Sequence, residues 1–274
     1  MSELKIDQIL KEIEKRQISY ASQTWVPSLQ KEIRFLEINT SQQKRLVKSI
    51  LDSSVLNTEF ILTLRDIIKE NCIDNTVNID DLTIIDKLFI SIGMRSNSIG
   101  NLIPVDIQTK EKETINLNIN LDDVLKIAKE TIDNIEGKTI EDKVFKIECG
   151  LPTIGSEVQL ENQLHKNKEV SVESKQQFKD VISESFLETI IPYIKSVVIN
   201  AEQGPLVLPW NTLDSKERLE VVNKFSTKIL KEVLGYINSI QQQIEKIEVV
   251  NFKHKDAVYR KRLSIEGSDF FILS

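Results

Sequence analysis

Glycine and proline are scarce in this sequence, 8 and 6 among 274 residues. Loops that wrap a phosphate in backbone N–H groups need glycines close together, and no GxGxxG or GxxxxGK spacing occurs. This counts against the common nucleotide-binding enzymes. Histidine occurs only as His165 and His254. His165 follows Glu161 by four residues, half of a helical metal pair, but a metal centre needs further converging ligands and none is suggested nearby. The two cysteines, Cys72 and Cys149, fit no metal or redox spacing, so reduced thiols in a reducing cytoplasm are expected. Cys149 precedes a Gly150-Leu151-Pro152 turn, and nothing beside it argues for an activated thiolate. Also missing is an apolar run near the roughly 20 residues of a membrane helix. The opening MSELKIDQILKEIEK has mixed charges and no apolar centre, so it does not read as a signal peptide. A basic excess is absent too. A net charge of -6 and a pI of about 5.3 argue against a nucleic-acid partner.

What is present is an ordinary soluble composition, 40% hydrophobic and 28% charged, on a chain long enough for a sizeable core. Residues 3–16 read as a short amphipathic helix with Leu4, Ile6, Ile9, Leu10 and Ile13 on one side. Trp25-Val26-Pro27-Ser28 starts an extended stretch, and Ile33-Arg34-Phe35 alternates like a strand running on to Ile38. Thr40-Ser41-Gln42-Gln43 has the form of a capping box, Thr40 as N-cap and Gln43 reaching back, opening a helix to about Asp52. Asn57 can cap a second helix, about Thr58 to Asn71, and Asp80 or Asp81 a third, Leu82 to about Met94. Phe35, Leu64, Leu82, Ile85 and Phe89 are expected to share a core. The pairs Asp80-Asp81 and Asp122-Asp123 stand at helix starts, where capping and the helix dipole explain them without catalysis.

Arg95 to Gly100 reads as a loop, with Arg95 bonding its carbonyls or pairing with Asp86. Strands are expected at 105–107, 114–118 and 144–149, with a helix over 121–132 that Gly137 ends. From Ser174 to Asn200 the pattern is helical, with a kink or break at Pro192. Residues 215–247 read either as one long helix, which would suit a partner helix, or as two helices broken near Ser226. The tail reads as strands over 248–252 and 259–265 with a basic connection, then a terminal apolar strand from Phe270. The run Lys253-His254-Lys255 with Tyr259-Arg260-Lys261-Arg262 reads as a solvated or protein-facing hairpin. Together this predicts an α+β fold, mostly helical with short strands and hairpins in two packed subdomains. The expected division is 1–24, an N-terminal helical extension; 25–110, an N-terminal α+β subdomain; and 111–274, a C-terminal α+β subdomain with long helices and a terminal hairpin.

Several segments together resemble the T-even-type bacteriophage base plate protein family. They are Pro27-Ser28-Leu29, Ile33-Arg34-Phe35 and Thr40 to Lys44, then Leu82-Thr83-Ile84-Ile85-Asp86 followed by Arg95-Ser96-Asn97-Ser98-Ile99-Gly100. The order Leu-Thr, Asp, Arg-Ser, Ser-Ile-Gly is the most specific part. Phe186 to Ile194 and the finish Ile265 to Phe271 are similar to the family's later helix and its Phe-Phe tail. The resemblance runs from about Trp25 to the end and leaves the N-terminal helix outside.

The resemblance implies a non-enzymatic structural or assembly protein of the contractile-tail base plate hub. It would act through other phage base plate hub proteins, or as a homo-oligomer, in the virion tail or in the host cytoplasm during assembly. It implies no cofactor and no catalytic residue; the charge, the hydropathy and the histidine and cysteine spacing add the expectation of no nucleic-acid partner, no membrane partner and no metal. Pro27, Ser28, Thr40, Asp86, Arg95, Ser98 and Gly100 are the motif residues, expected to have structural roles. Ile9, Ile13, Phe270 and Phe271 are the candidate partner contacts, because apolar side chains at chain ends need cover. The competing readings are an unrelated adaptor docking through 215–247, and an enzyme whose site is assembled from distant carboxylates.

Overall fold

The structure is a computed structural model, and it describes residues 6–52, 58–108, 113–132, 135–168, 186–254, 257–263, 265 and 268–271. The fold is α+β. The chain forms two compact units, one of residues 1–129 with 247–274 and one of residues 130–246. The C-terminal strands therefore group with the first unit, whereas the sequence division places them in a subdomain beginning at 111.

In the first unit, α1 (Ile6–Ser19) precedes an antiparallel hairpin of β1 (Ser22–Val26) and β2 (Lys31–Phe35). The turn between them is a single 3-10 turn with Pro27 at its start and Gln30 at φ 53. Thr24, Val26, Ile33 and Phe35 lie on one face of the hairpin and are buried, as period-two alternation requires. The helices α2 (Thr40–Asp52), α3 (Thr58–Asn71) and α4 (Ile84–Ser98) follow. Phe60, Leu64, Ile67 and Ile68 of α3 are buried, matching its apolar spacing. Phe35, Leu82, Ile85 and Phe89 are buried as well. A second hairpin, β3 (Leu102–Gln108) with β4 (Thr114–Asn120), leads into α5 (Leu121–Ile132).

The second unit holds a four-stranded antiparallel sheet in sequence order: β5 (Lys138–Glu141), β6 (Phe145–Cys149), β7 (Ile194–Ala201) and β8 (Gly204–Val207). It also contains α6 (Ile154–Lys168), α7 (Ser215–Val222) and most of α8 (Thr227–Glu248). Its core joins Ile147, Ile194 and Val197 of the sheet to Ile229, Val233, Tyr236 and Ile240 of α8, with Phe145 edge-on to Phe225 at 5.1 Å. The chain ends in the first unit with β9 (Val249–His254), β10 (Ala257–Arg262) and a four-residue helix, α9 (Ser268–Phe271).

Five local expectations change. Asn39, not Thr40, caps α2: its side chain accepts from Gln42 N–H at 3.0 Å while Gln42 accepts from Asn39 N–H at 3.1 Å, so the capping box sits one residue earlier. Asp80 and Asp81 belong to a 3-10 turn capped by Asn78, and Thr83 is the N-cap of α4. Residues 95–98 continue α4 and do not form a loop. Residues 194–200 form β7, not helix: Pro192 ends the preceding turns, and the β-branched run Val197-Val198-Ile199 pairs with β6 on one side and β8 on the other; residues 174–185 of that expected helix lie outside the described ones. Phe270 and Phe271 sit in a helix and not in a strand. Of the two readings of 215–247, the break near Ser226 is the one found. The Ser226 hydroxyl accepts from Ile229 N–H at 3.3 Å at the start of α8.

Candidate functional site

Of the motif residues, Thr40 is the first residue of α2, whereas Ser28, Asp86, Arg95, Ser98 and Gly100 meet at α4, next to the turn that Pro27 opens. This helix is buried all round from Ile85 to Arg95, so its polar side chains must find partners inside the protein. At its start, Thr83 and Asp86 form a reciprocal capping box. Asp86, fully buried, accepts from the N–H and hydroxyl of Thr83 at 2.7 Å each and from the N–H of Ser28 at 2.9 Å. One carboxylate thereby caps α4 and pins the turn that begins at Pro27. Further along, Gly93 lets β1 approach closely: a Cβ there would collide with the Thr24 hydroxyl oxygen. At the far end, the Ser98 hydroxyl donates to the Met94 carbonyl and accepts from Ile38 N–H, both at 2.7 Å.

Arg95 is 4% exposed. Its guanidinium donates to the Gly100 carbonyl and, at 2.7 Å, to the Phe270 carbonyl. Burial lowers its pKa from the ordinary guanidinium value. Asp86 is not its partner. Arg95 instead secures both the chain reversal at Gly100, whose φ of +124 suits glycine, and the C-terminal segment. Gln43, which the sequence assigned to capping, donates to the Phe271 carbonyl at 3.1 Å. Phe271 is 1% exposed, with its ring 6.3 Å from that of Phe60 and edge-on to Phe270 at 5.1 Å. Phe270 and Phe271 are thus covered within their own chain and are not available as partner contacts.

The opposite holds for α1. None of its described residues is buried, and Ile6, Ile9, Leu10 and Ile13 are 40–66% exposed. Arg34 of β2 donates to the Ile18 carbonyl at 2.6 Å, tying down the C-terminal end of the helix. Beside it opens a cleft of about 380 Å³ lined by Ile13, Tyr20, Leu36, Ile38 and the Asn39 cap of α2. Ile9 and Ile13, unlike the Phe pair, remain candidates for contact. The 215–247 segment does not: the apolar positions of α8 fill the core of the second unit.

No group of three or more metal-ligating side chains is found among the described residues. The side chains of His165 and His254 lie outside them. Burial raises the Cys149 thiol to about 11 and pushes the Cys72 thiol up, the direction opposite to an activated thiolate. Tyr236 is raised to about 12, first by burial and then by Cys149 and Tyr193. Asp80 is held below the usual carboxylate value by the Arg65 guanidinium, in an ion pair that ties α3 to the turn ahead of α4.

Thr83 and Asn39 are functional caps that the sequence reading missed. The signals are there: Thr83-x-x-Asp86 and Asn39-x-x-Gln42 both have capping-box form. Nothing in the sequence marks Gln43 for the Phe271 carbonyl, because that partner is 228 residues away.

These features define an α+β protein whose first unit is built on one buried helix and leaves an amphipathic helix uncovered. The T4 bacteriophage base plate protein family matches residues 18–264, and the chain belongs to that family. It is a phage base plate structural protein, and the family points to the virion tail base plate. No curated protein and no solved structure matches it significantly. Almost all of α1 and the whole of α9 fall outside the matched residues. No helix among the described residues is long and apolar enough to cross a membrane.

Proposed function

We propose that the protein is a non-enzymatic subunit or assembly factor of the base plate hub and docks onto other hub proteins through α1. The observation that carries this is the uncovered apolar side of α1, in a helix of 14 residues. Isolated helices of that length are marginal in water, so most of their stability must come from packing an apolar face against something else. Burying one such side chain contributes about 1.5–3 kcal/mol, enough for three or four to anchor a contact. The cleft beside Ile13 and Tyr20 extends this surface onto the hairpin and the start of α2.

Deletion of residues 1–17 tests the proposal. The shortened chain folds, judged by circular dichroism and thermal melting, but fails to support base plate assembly in infected cells. Normal base plates by electron microscopy with the truncated chain would remove α1 from the account. Mass spectrometry of purified virions then separates a retained subunit from a factor that acts in the host cytoplasm and leaves.

A further inference from the structure

The β9–β10 hairpin is a basic island in an acidic chain. Residues 249–262 contain five Lys or Arg and one Asp, against a net charge of -6 for the whole. The two strands form a sheet of their own, so the outer edge of β10 pairs with no described strand. The register sorts the side chains. Phe252 opposite Tyr259 faces inward and is half-buried, whereas Lys253, Val258, Arg260 and Arg262 lie on the other, exposed face. Val258 is 66% exposed among these cations. Arg262 pairs with Glu248 at 2.7 Å, while Arg260 and Lys253 form no ion pair with a described residue.

Backbone geometry singles out the same residues. Leu263 N–H donates to the Glu248 carbonyl at 2.7 Å, which makes that position a hydrogen-bonded pair. Bonded and non-bonded pairs alternate along an antiparallel ladder. The N–H and C=O groups of Val258, Arg260 and Arg262 therefore point away from β9, and their side chains stand on the exposed face. A strand added at this edge would bond to those three residues and set its own side chains beside theirs.

We propose that the outer edge of β10 accepts an extended acidic segment of another protein, by strand addition. The charge selects the occupant. Two β10 edges repel each other, so the cations that guard the edge against a second copy leave an acidic strand admissible. A polyanion such as nucleic acid cannot continue a backbone ladder at this edge and has no use for an exposed valine. A strand whose same-face residues, every second one, are an apolar side chain beside Val258 and acids beside Arg260 and Arg262 satisfies the backbone, the cations and Val258 together. The inference rests on the reading that the protein acts through protein contacts, at a surface separate from α1.

The test uses the full chain and a labelled octapeptide in which every second residue is Val once and Glu three times, with Thr between, followed by fluorescence anisotropy. The peptide binds, and binding weakens as salt rises from about 50 to about 300 mM. Arg260→Glu weakens it about tenfold or more, whereas Lys231→Glu, the same charge change in the other unit, leaves it unaltered. Val258→Pro removes an outward-pointing donor and the valine side chain but no bond to β9, so the hairpin persists and binding falls; Arg260→Gln, with a smaller loss, serves if the reversal disturbs folding. Equal weakening by Arg260→Glu and Lys231→Glu overturns the proposal, as does wild-type binding by Val258→Pro. Arg260-dependent binding of single-stranded DNA or phosphatidylglycerol vesicles at the same affinity overturns it too. Failure here leaves the outcome of deleting residues 1–17 untouched, so the two readings fail separately.

Discussion

The two ends of the chain carry similar apolar content and have opposite fates. At the N-terminal end, α1 leaves Ile6, Ile9, Leu10 and Ile13 in water; at the C-terminal end, α9 buries Phe270 and Phe271 to within a few per cent. Hydrophobicity alone does not separate them. The difference lies in polar anchoring. Two carbonyls of α9 are held from inside the fold, by Arg95 and by Gln43, and these bonds fix where the rings go. For α1 the interaction with β2 is a single bond at its last turn, from Arg34 to the Ile18 carbonyl. A surface that is left open and a segment that completes a core can therefore look alike until the donors that hold them are located.

The comparison breaks most readily at Phe271. Phe271→Ala removes a fully buried ring beside Phe60 and should cost about 3–5 kcal/mol in urea denaturation. An unchanged midpoint would mean that α9 is no more part of the core than α1. Arg95→Ala comes next. It leaves the Gly100 and Phe270 carbonyls without their buried donor and should cost about 1–3 kcal/mol, with Arg95→Lys recovering only part because one ammonium cannot reproduce the fork.

Acid offers a third and weaker handle. The described side-chain hydrogen bonds to α9 run to its carbonyls, so mild acid leaves them in place; Asp80 is one of the carboxylates held below the ordinary value and tests the acid response elsewhere in the first unit. Its folded pKa lies below the ordinary value of 3.8 because of Arg65. The stability it contributes is present above that value and is lost as pH falls through the depressed folded one. Asp80→Asn should therefore flatten the stability profile below about pH 4 and lower the midpoint at neutral pH. An unchanged slope would show that the Arg65 pair does not carry the acid response. The smallest effect on stability belongs to α1. Ile9→Asp with Ile13→Asp should change the unfolding free energy by less than about 0.5 kcal/mol while abolishing base plate assembly. A large loss of stability would show that α1 belongs to the core.

Much of the local structure was legible because it depends on neighbours in the chain. The apolar spacing of α3, the alternation of β3 and β4, and the reach of α5 all follow from side-chain period. The N-cap of α2 was misplaced by one residue because Asn39-Gln42 and Thr40-Gln43 satisfy the same pattern, and only the second role of Gln43 decides between them. The strand β7 is expected as helix because Phe178, Val181, Ile182, Phe186 and Ile190 keep a helical spacing up to Pro192, while the partners that make Ile194–Ala201 a strand are β6 and β8. Local preference set the candidates, and pairing across the sheet chose between them.

The sequence by itself determined the α+β class, the amphipathic character of α1, the absence of clustered glycines and histidines, and the motif order that leads to the base plate family. Those are properties of composition and of residues a few positions apart. Tertiary structure alone decided that Asp86 reaches back to Ser28, that Arg95 holds the carbonyl of Phe270 instead of pairing with Asp86, and that the Phe pair is covered while the isoleucines of α1 are not. Arg95 and Phe270 are 175 positions apart. No periodicity reaches that far: a buried cation must find acceptors wherever the packed chain brings them, and packing is settled by the whole fold.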